Sequence, residues 1–458
     1  MADTIAALST PPGQAGIGIV RISGPLAKDI AGRIFRAKHP PMVWTSHLLT
    51  LGRLVDPDTG VTVDEVLLSY MKAPHSYTRE DVVEINTHSG HALVERILRM
   101  VLNAGARAAR AGEFTFRAFM NGRIDLTQAE AVMDLIQAKS EQGVELASGQ
   151  LCGRMRARIE SVRRVALDIL AHTEVGIDYP EEMNGVISGE EAFSLLAQDV
   201  IAPLSDIRDA YAQRRFWADG VNTAIVGRVN TGKSSLLNRL AEEERAIVTE
   251  VPGTTRDVIE ALIYVDGLPI RLLDTAGYRT PQGEVERIGV ERTDQTLKGA
   301  NLALVVVDRS QSFDEEDRRV LQRCADIPTL VVLNKIDLPN RLDEAKARSA
   351  IADLATVSVS ALTGEGMDGL RRLIRTAVLE DSSGTLEMDF LPNARQNRAM
   401  GEALDWFQQA SNHFREEAPL DIVAVDLNNG LDALAEITGA RATEETLDRI
   451  FQTFCLGK

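Results

Sequence analysis

Apolar and polar positions follow two rhythms along this chain, and the rhythm changes several times. Near the start, Ile17-Gly18-Ile19-Val20-Arg21-Ile22 and Val66-Leu67-Leu68-Ser69-Tyr70 read as strands, while 91–102 carries its apolar residues at helical spacing. Residues 1–118 therefore predict an α+β domain. The Gly13-Gln14-Ala15-Gly16-Ile17-Gly18 run is no dinucleotide fingerprint, because it precedes its strand instead of following one. From 119 the period is helical. Thr127-Gln128-Ala129-Glu130 has the form of a capping box, and Val132, Met133, Leu135 and Ile136 follow at helical spacing. Ser188-Gly189-Glu190-Glu191 opens another helix in the same way. Between 218 and 379, short continuous apolar runs alternate with helical ones. The strand-like runs are Thr223-Ala224-Ile225-Val226, Ile270-Arg271-Leu272-Leu273, 302–307 and 330–333, the pattern of βα units around a mostly parallel sheet. Asp381-Ser382-Ser383-Gly384 reads as a linker, and helical spacing returns over 394–458 at Ile422, Val425, Leu427, Leu431 and Leu434. The chain thus reads as a multidomain α/β and α protein divided at 1–118, 119–217, 218–379 and 380–458. The two helical stretches fit one discontinuous bundle with the α/β domain inserted in it, since a compact domain has neighbouring termini. They also fit two independent helical domains.

The α/β segment carries the most specific chemistry. Gly227-Arg228-Val229-Asn230-Thr231-Gly232-Lys233-Ser234 is a G-x-x-x-x-G-K-S loop between a strand-like and a helix-like run, the phosphate-binding loop of nucleoside triphosphatases. Its backbone N–H groups would face phosphate, Lys233 would reach the β- and γ-phosphates, and Ser234 would ligate Mg²⁺. Asp274-Thr275-Ala276-Gly277 closes a second strand. There the Asp would hold the Mg²⁺ shell through water and Gly277 would sense the γ-phosphate. Asn334-Lys335-Ile336-Asp337 closes a third, and Ser360-Ala361-Leu362 follows a fourth. The Asp337 carboxylate can accept from both the ring N–H and the exocyclic amine of guanine, and the last loop would back the base with a main-chain N–H. Adenine would leave a buried carboxylate unpaired, a discrimination of roughly 10⁴. In this order, each at a strand end, the motifs point to GTP. Gly253-Thr254-Thr255-Arg256-Asp257 lies between the two phosphate motifs, and Thr255 is the natural second Mg²⁺ ligand of a mobile switch loop. Tyr278 stands where Ras-like enzymes place the water-orienting Gln. Asn230 could bind a monovalent cation through its carboxamide oxygen; a plain loop hydrogen bond fits that residue equally well.

Composition narrows the setting. A net charge of −17 means that any RNA contact must use a local basic patch. Arg154, Arg156, Arg158, Arg163 and Arg164 crowd 151–165 against Glu160, either as a tRNA-phosphate contact or as a solvated helix face. The three cysteines, Cys152, Cys324 and Cys455, lack metal spacing and fit a reducing cytoplasm. Met1-Ala2-Asp3-Thr4-Ile5 opens no signal peptide, and the apolar runs are too short to span a bilayer. The end, Phe454-Cys455-Leu456-Gly457-Lys458, fits a prenylation box poorly and reads as a docked tail. Within it, Cys455 is open to either a catalytic or a buried structural role.

Over essentially the whole length the residues resemble the TrmE family of tRNA-modification GTPases. The likeness is carried by Thr10-Pro11-Pro12-Gly13, Gly18-Ile19-Val20-Arg21-Ile22-Ser23-Gly24, Gly112-Glu113-Phe114-Thr115 with Arg117-Ala118-Phe119, and Gln128-Ala129-Glu130-Ala131. It continues through 230–238, 253–257, Glu284-Val285-Glu286-Arg287-Ile288-Gly289, 430–439 and the Cys-Leu-Gly-Lys end. The resemblance implies an N-terminal folate-binding domain that dimerises, a discontinuous helical domain and an inserted Ras-like G domain. It implies nucleotide contacts at Asn230, Thr231, Gly232, Lys233, Ser234, Ser235, Thr249, Glu250, Val251, Pro252, Gly253, Thr254, Thr255, Asp274, Thr275, Ala276, Gly277, Asn334, Lys335, Asp337, Ser360, Ala361 and Leu362. Mg²⁺ would sit on Ser234 and Thr255. K⁺ would sit on Asn230, Thr249, Val251 and Thr254. Glu286 would orient the attacking water, with Lys233 and Asn230 completing the catalytic set, and Arg279 lies in the switch before it. Arg21, Glu84, Arg123 and Lys458 match positions that contact a 5-formyl- or methylene-type tetrahydrofolate. The family works in the cytoplasm as a homodimer, in a heterotetramer with an FAD-containing partner. Together they add a carboxymethylaminomethyl or aminomethyl group to C5 of the wobble uridine of certain tRNAs. Val229 for the usual Pro, Arg123 for Lys and Leu456 for Ile are the departures. The competing reading is an RNA-binding or ribosome-assembly GTPase switch without modification activity.

Overall fold

The computed structural model describes residues 3–39, 43–138, 140–179, 187–211, 217, 220–243, 261–265, 267–274, 297, 299–343, 347, 350–379 and 390–457. Its contacts form two compact units: Met1–Met133, Gln150–Ile201 and Ala399–Lys458 in the first, Asp134–Gly149 and Ala202–Arg398 in the second.

The first unit contains strands β1 (Ile5–Leu8), β2 (Ala15–Ser23), β3 (Phe35–Ala37), β4 (Leu49–Val55), β5 (Thr62–Met71), β6 (Val82–Ser89) and β7 (Arg107–Ala108). They form one sheet in the order β3-β4-β5-β6-β2-β1-β7, antiparallel except for the β1–β7 pair. Strand periodicity explains the core. Val66, Leu68 and Tyr70 of β5 turn inward and pack with Ile30 and Ile34 of helix Ala27–Ile34 and with Val94, Ile97 and Val101 of helix His91–Asn103. The alternate positions Leu49, Leu51 and Leu67 face out on the other side and are exposed.

Helices complete this unit, and three expectations change in detail. The helix Leu126–Gln137 starts earlier than the Thr127/Glu130 box. Asp125 Oδ1 accepts from the Gln128 N–H at 2.9 Å, and Gln128 Oε1 accepts from the Asp125 N–H at 3.0 Å. Leu126 is wholly buried, which favours the earlier start, and Thr127 instead gives its hydroxyl to Asp125 at 2.6 Å. The helix beginning at Gly189 does open on Ser188, whose hydroxyl accepts from the Glu191 N–H at 3.1 Å. Helix Leu420–Thr438 lies against helix Arg154–Asp178 and buries Val423, Leu427, Leu431 and Leu434, whereas Ile422 and Val425 are exposed. A helix buries one stripe, and those two lie off it. The arginines of Arg154–Asp178 flank the buried row Met155, Ile159, Val162 and Ala166 instead of making one face. Arg156 turns to Asp125 at 3.6 Å and Arg163 to Glu160 at 3.1 Å.

The second unit holds β8 (Val221–Val226), β9 (Ala261–Val265), β10 (Leu268–Asp274), β11 (Leu302–Asp308), β12 (Thr329–Asn334) and β13 (Ala355–Ser358). Their order is β13-β12-β11-β8-β10-β9, parallel except for β9 against β10. Helices cover both faces, so β11 is buried at every residue. Ile225 packs with Leu236 and Leu370 on one side, Ala224 and Val226 with Leu321 and Cys324 on the other. Leu146 joins the first of these cores, so part of the helix Glu141–Leu151 packs with the α/β layers. Among the described residues no helix is long and apolar enough to cross a membrane.

Candidate functional site

Parallel strands point the same way, so the loops after β8, β11, β12 and β13 gather at one sheet edge, where α/β proteins bind ligands. The phosphate loop runs from β8 into helix Lys233–Glu243. Gly232 has φ +95°, and a Cβ there would stand 2.3 Å from Asn334 Nδ2, so the loop tolerates only glycine at this close approach. Asn334 is the fastener. Its Nδ2 donates to Thr231 O at 2.9 Å, and its Oδ1 accepts from the Ala361 N–H at 3.0 Å. Within the loop expected to back the base with a main-chain N–H, the Ala361 N–H is thus engaged in holding the two base motifs together. Lys233 Nζ donates to Gly227 O at 2.8 Å and Arg228 O at 2.7 Å. Ser234 and Ser235 lie exposed in the first helical turn, where the helix dipole favours anions.

Asp337 is exposed at the rim, a correction to the buried carboxylate that the sequence suggested. Its Oδ1 accepts from Ser360 Oγ at 2.6 Å, and that oxygen accepts from the Thr363 N–H at 3.1 Å. Ser360 is fully buried, so Asp337 is aimed by a fixed hydroxyl. Leu362 is exposed beside it, as is Val229 on the phosphate loop.

Three residues of this site escaped the motif reading. Asp308, ending β11, accepts from Lys335 Nζ at 2.7 Å, and Lys335 Nζ also donates to Asn230 O at 2.8 Å. Burial pushes the Asp308 carboxyl up, but bonds from Lys335 and Ser310 outweigh it and hold the group below the ordinary carboxylate range. Arg239 donates through Nε to Ala361 O at 3.1 Å and also bonds Leu362 O. Arg228 ties the phosphate loop to Asp314 and, at 3.6 Å, to Asp317. For Asp308 a signal existed: one acid closes an otherwise apolar strand run. Thr249, Glu250, Val251, Pro252, Gly253, Thr254, Thr255, Thr275, Ala276, Gly277, Tyr278, Arg279 and Glu286 lie outside the described residues, as does the side chain of Asp274.

A second cluster lies in the first unit. Arg21 on β2 and Glu84 on β6 are register partners, joined Nε to Oε1 at 2.8 Å. The Arg21 guanidinium lies 5.4 Å from the Tyr77 ring centre and 5.6 Å from that of Phe114. Arg123 lies 4.8 Å from the Tyr77 ring and donates to Tyr77 O at 3.0 Å. Arg21, Glu84 and Arg123 are thus brought together around Tyr77, which carried no motif and was missed. The chain end docks here as well. Gly457 O accepts from Ser9 Oγ at 3.1 Å and from Arg21 Nη1 at 3.3 Å. Gly457 has φ +90°, and its Cβ would stand 2.1 Å from Leu8 O. Lys458 lies outside the described residues. Cys455 and Cys152 are exposed, whereas burial pushes the Cys324 thiol up to about 11.

Two family descriptions match this chain. The N-terminus of the GTP-binding protein TrmE covers residues 4–123, and the MnmE helical domain covers 126–455. The chain belongs to the MnmE family. The MnmE helical match begins before β8 and ends after β13, so the α/β sheet lies within it along the sequence. The tRNA modification GTPase MnmE of Alkaliphilus oremlandii is 43% identical over 100% of this chain and 99% of its own. That of Heliobacterium modesticaldum is 44% identical over the same shares. Among solved structures, the G domain of the T. maritima FeoB iron transporter is 26% identical over 34% of this chain and 96% of its own, with a TM-score of 0.26.

Proposed function

We propose that this chain is a potassium-activated GTPase which, with an FAD-containing partner, adds a carboxymethylaminomethyl or aminomethyl group to C5 of the wobble uridine of certain tRNAs. The observation that carries the reading is the pairing of a guanine-type nucleotide site with the Arg21–Glu84–Tyr77–Arg123 cluster in one chain. A ribosome-assembly switch has no use for the second. The proposed organisation is 1–118 for folate binding and dimerisation, 119–217 with 380–458 as the helical domain, and 218–379 as the G domain. The exposed Leu49, Leu51 and Leu67 on the open sheet face support a homodimer.

Lys233 exchanges its two carbonyl partners for the β- and γ-phosphates. Ser234 and Thr255 would hold Mg²⁺, and Asn230, Thr249, Val251 and Thr254 would hold K⁺. Both ions supply positive charge beside the transferring phosphoryl group when bound. Glu286 orients water in place of the absent Gln at Tyr278. In the first unit, Glu84 would accept from the pterin amine and ring N–H, and Lys458 would meet the folate's glutamate. Tyr77 would supply a ring face.

The deciding experiment is mass spectrometry of tRNA nucleosides from cells lacking this chain. Loss of the C5 aminomethyl-type wobble modifications is expected, with rescue by the intact gene and none by Lys233→Ala or Glu286→Ala. Glu286→Ala should still bind GTP. An unchanged nucleoside profile, with cosedimentation on a ribosomal subunit, would favour the assembly switch. For the folate site, Glu84→Gln should weaken binding of 5-formyltetrahydrofolate about tenfold or more, because hydrogen bonds to a charged group are lost. Calorimetry showing equal affinity would remove Glu84 from the pocket.

A further inference from the structure

The carboxylate of Asp308 is almost fully enclosed, with 1% of its side chain exposed, and every contact it makes is directional. Oδ1 accepts from the Ser310 N–H at 2.9 Å and from Ser310 Oγ at 2.6 Å. Oδ2 accepts from Gln311 Nε2 at 3.2 Å and from Lys335 Nζ at 2.7 Å. Four donors aim this acid, and the acid aims Lys335. The same Lys335 ammonium reaches Asn230 O at 2.8 Å. Asn230 has φ +64° and Lys335 φ +67°; asparagine tolerates this left-handed region better than most residues, whereas a lysine keeps it only where its surroundings hold it. The chain of contacts therefore runs from the end of β11, through the base-motif lysine, to the backbone carbonyl of Asn230 in the phosphate loop.

We infer that Asp308 is a positioning residue: it holds Lys335 on the Asn230 carbonyl, fixes the left-handed conformation there, and so sets how the GTPase responds to potassium. The inference rests on the reading of Asn230 as a potassium ligand. A cation site needs its oxygens at fixed places before the cation arrives. Without the Asp308 carboxylate, the Lys335 ammonium is drawn toward water, and the Asn230 backbone is free to leave the conformation that directs its carboxamide.

The test uses the full-length chain. GTP hydrolysis is titrated with KCl and, separately, with NaCl, at ionic strength held constant with choline chloride. Wild type and Asp308→Asn are compared, with thermal melting of each measured in parallel. The wild type should be faster in potassium. Asp308→Asn should raise the potassium concentration for half-activation about tenfold, the effect of weakening one charge-assisted bond. A purely structural role would lower the melting temperature and the active fraction and leave the half-activation concentration unchanged; that result overturns the inference. Equal wild-type rates in sodium and potassium would remove the potassium reading itself, and the inference with it. If Asp308→Asn does not fold, Ser310→Ala serves, since it removes only the hydroxyl that orients the carboxylate. A smaller shift in the same direction is then expected, and no shift overturns the inference.

Discussion

Asp337→Asn weakens GTP and GDP binding by about 10²–10⁴-fold and turns preference toward xanthine nucleotides. In the proposed function the carboxylate would accept two hydrogen bonds from guanine, each worth about 1.5–3 kcal/mol when one partner is charged, and about 1.4 kcal/mol is a factor of ten. Asparagine keeps one acceptor but sets its amide N–H₂ against the exocyclic amine of guanine. Xanthine carries a carbonyl at that carbon, so the same amide becomes a matching donor. Ser360 Oγ, 2.6 Å from Asp337 Oδ1, holds the replaced side chain in the same place. Because Asp337 is exposed before the base covers it, the expected range starts below that for a fully buried acid. Equilibrium binding of fluorescent guanine and xanthine nucleotides reads both effects. Unchanged guanine affinity would show that base selection lies elsewhere in the loop.

Arg117→Ala destabilises the first unit by about 3–5 kcal/mol, the usual result of removing one member of a buried ionic cluster. Arg117 is 1% exposed. Its guanidinium meets Asp3 at 2.8 Å, Glu80 at 3.1 Å and Glu113 at 3.1 Å, and Arg107 adds a second cation on Glu113 at 2.6 Å. The loss would leave Glu80 and Glu113 facing each other without their shared cation. Denaturant melting, with hydrogen exchange of β1 and β2, measures the loss; a change under about 1 kcal/mol would mean that the acids relax into water. The pH dependence has a definite sign. Burial pushes the Glu113 carboxyl up, but Arg107, the Arg110 N–H and Arg117 outweigh it, and the group sits below its ordinary value of 4.5. Its contribution is complete above that value and lost as pH falls through the lowered one. Acid unfolding of Arg117→Ala should therefore begin at higher pH than that of the wild type.

Much of the nucleotide site could be read from contiguous residues, because phosphate loops and base motifs are local devices. A glycine, a lysine and a strand end within eight residues state their chemistry without knowledge of the fold. The runs at 66–70 and in β11 were likewise legible as strands, but that the first buries one face and the second both was shown only by burial, since the apolar Leu67 is exposed. Spacing was less reliable where two registers met the same rule. Asp125/Gln128 and Thr127/Glu130 both satisfy a capping box, and burial of Leu126 chose between them. Ile422 and Val425 fit an apolar helical pattern, yet the packing stripe passes them by.

Contacts between distant segments obey no such local rule. Tyr77 between Arg21 and Arg123 depends on where β2, β6 and the segment after Met120 come together. Asp308 on Lys335, Arg239 on the Ala361 carbonyl and Gly457 on Ser9 join residues 27, 122 and 448 positions apart. Order along the chain specified which chemical groups were present and which short stretches would become strand, helix or phosphate loop, since those follow from backbone geometry over a few residues. Which side chains aim one another was settled by folding, because a hydrogen bond or an ion pair depends on positions in space to within about 0.5 Å, and no periodicity encodes that.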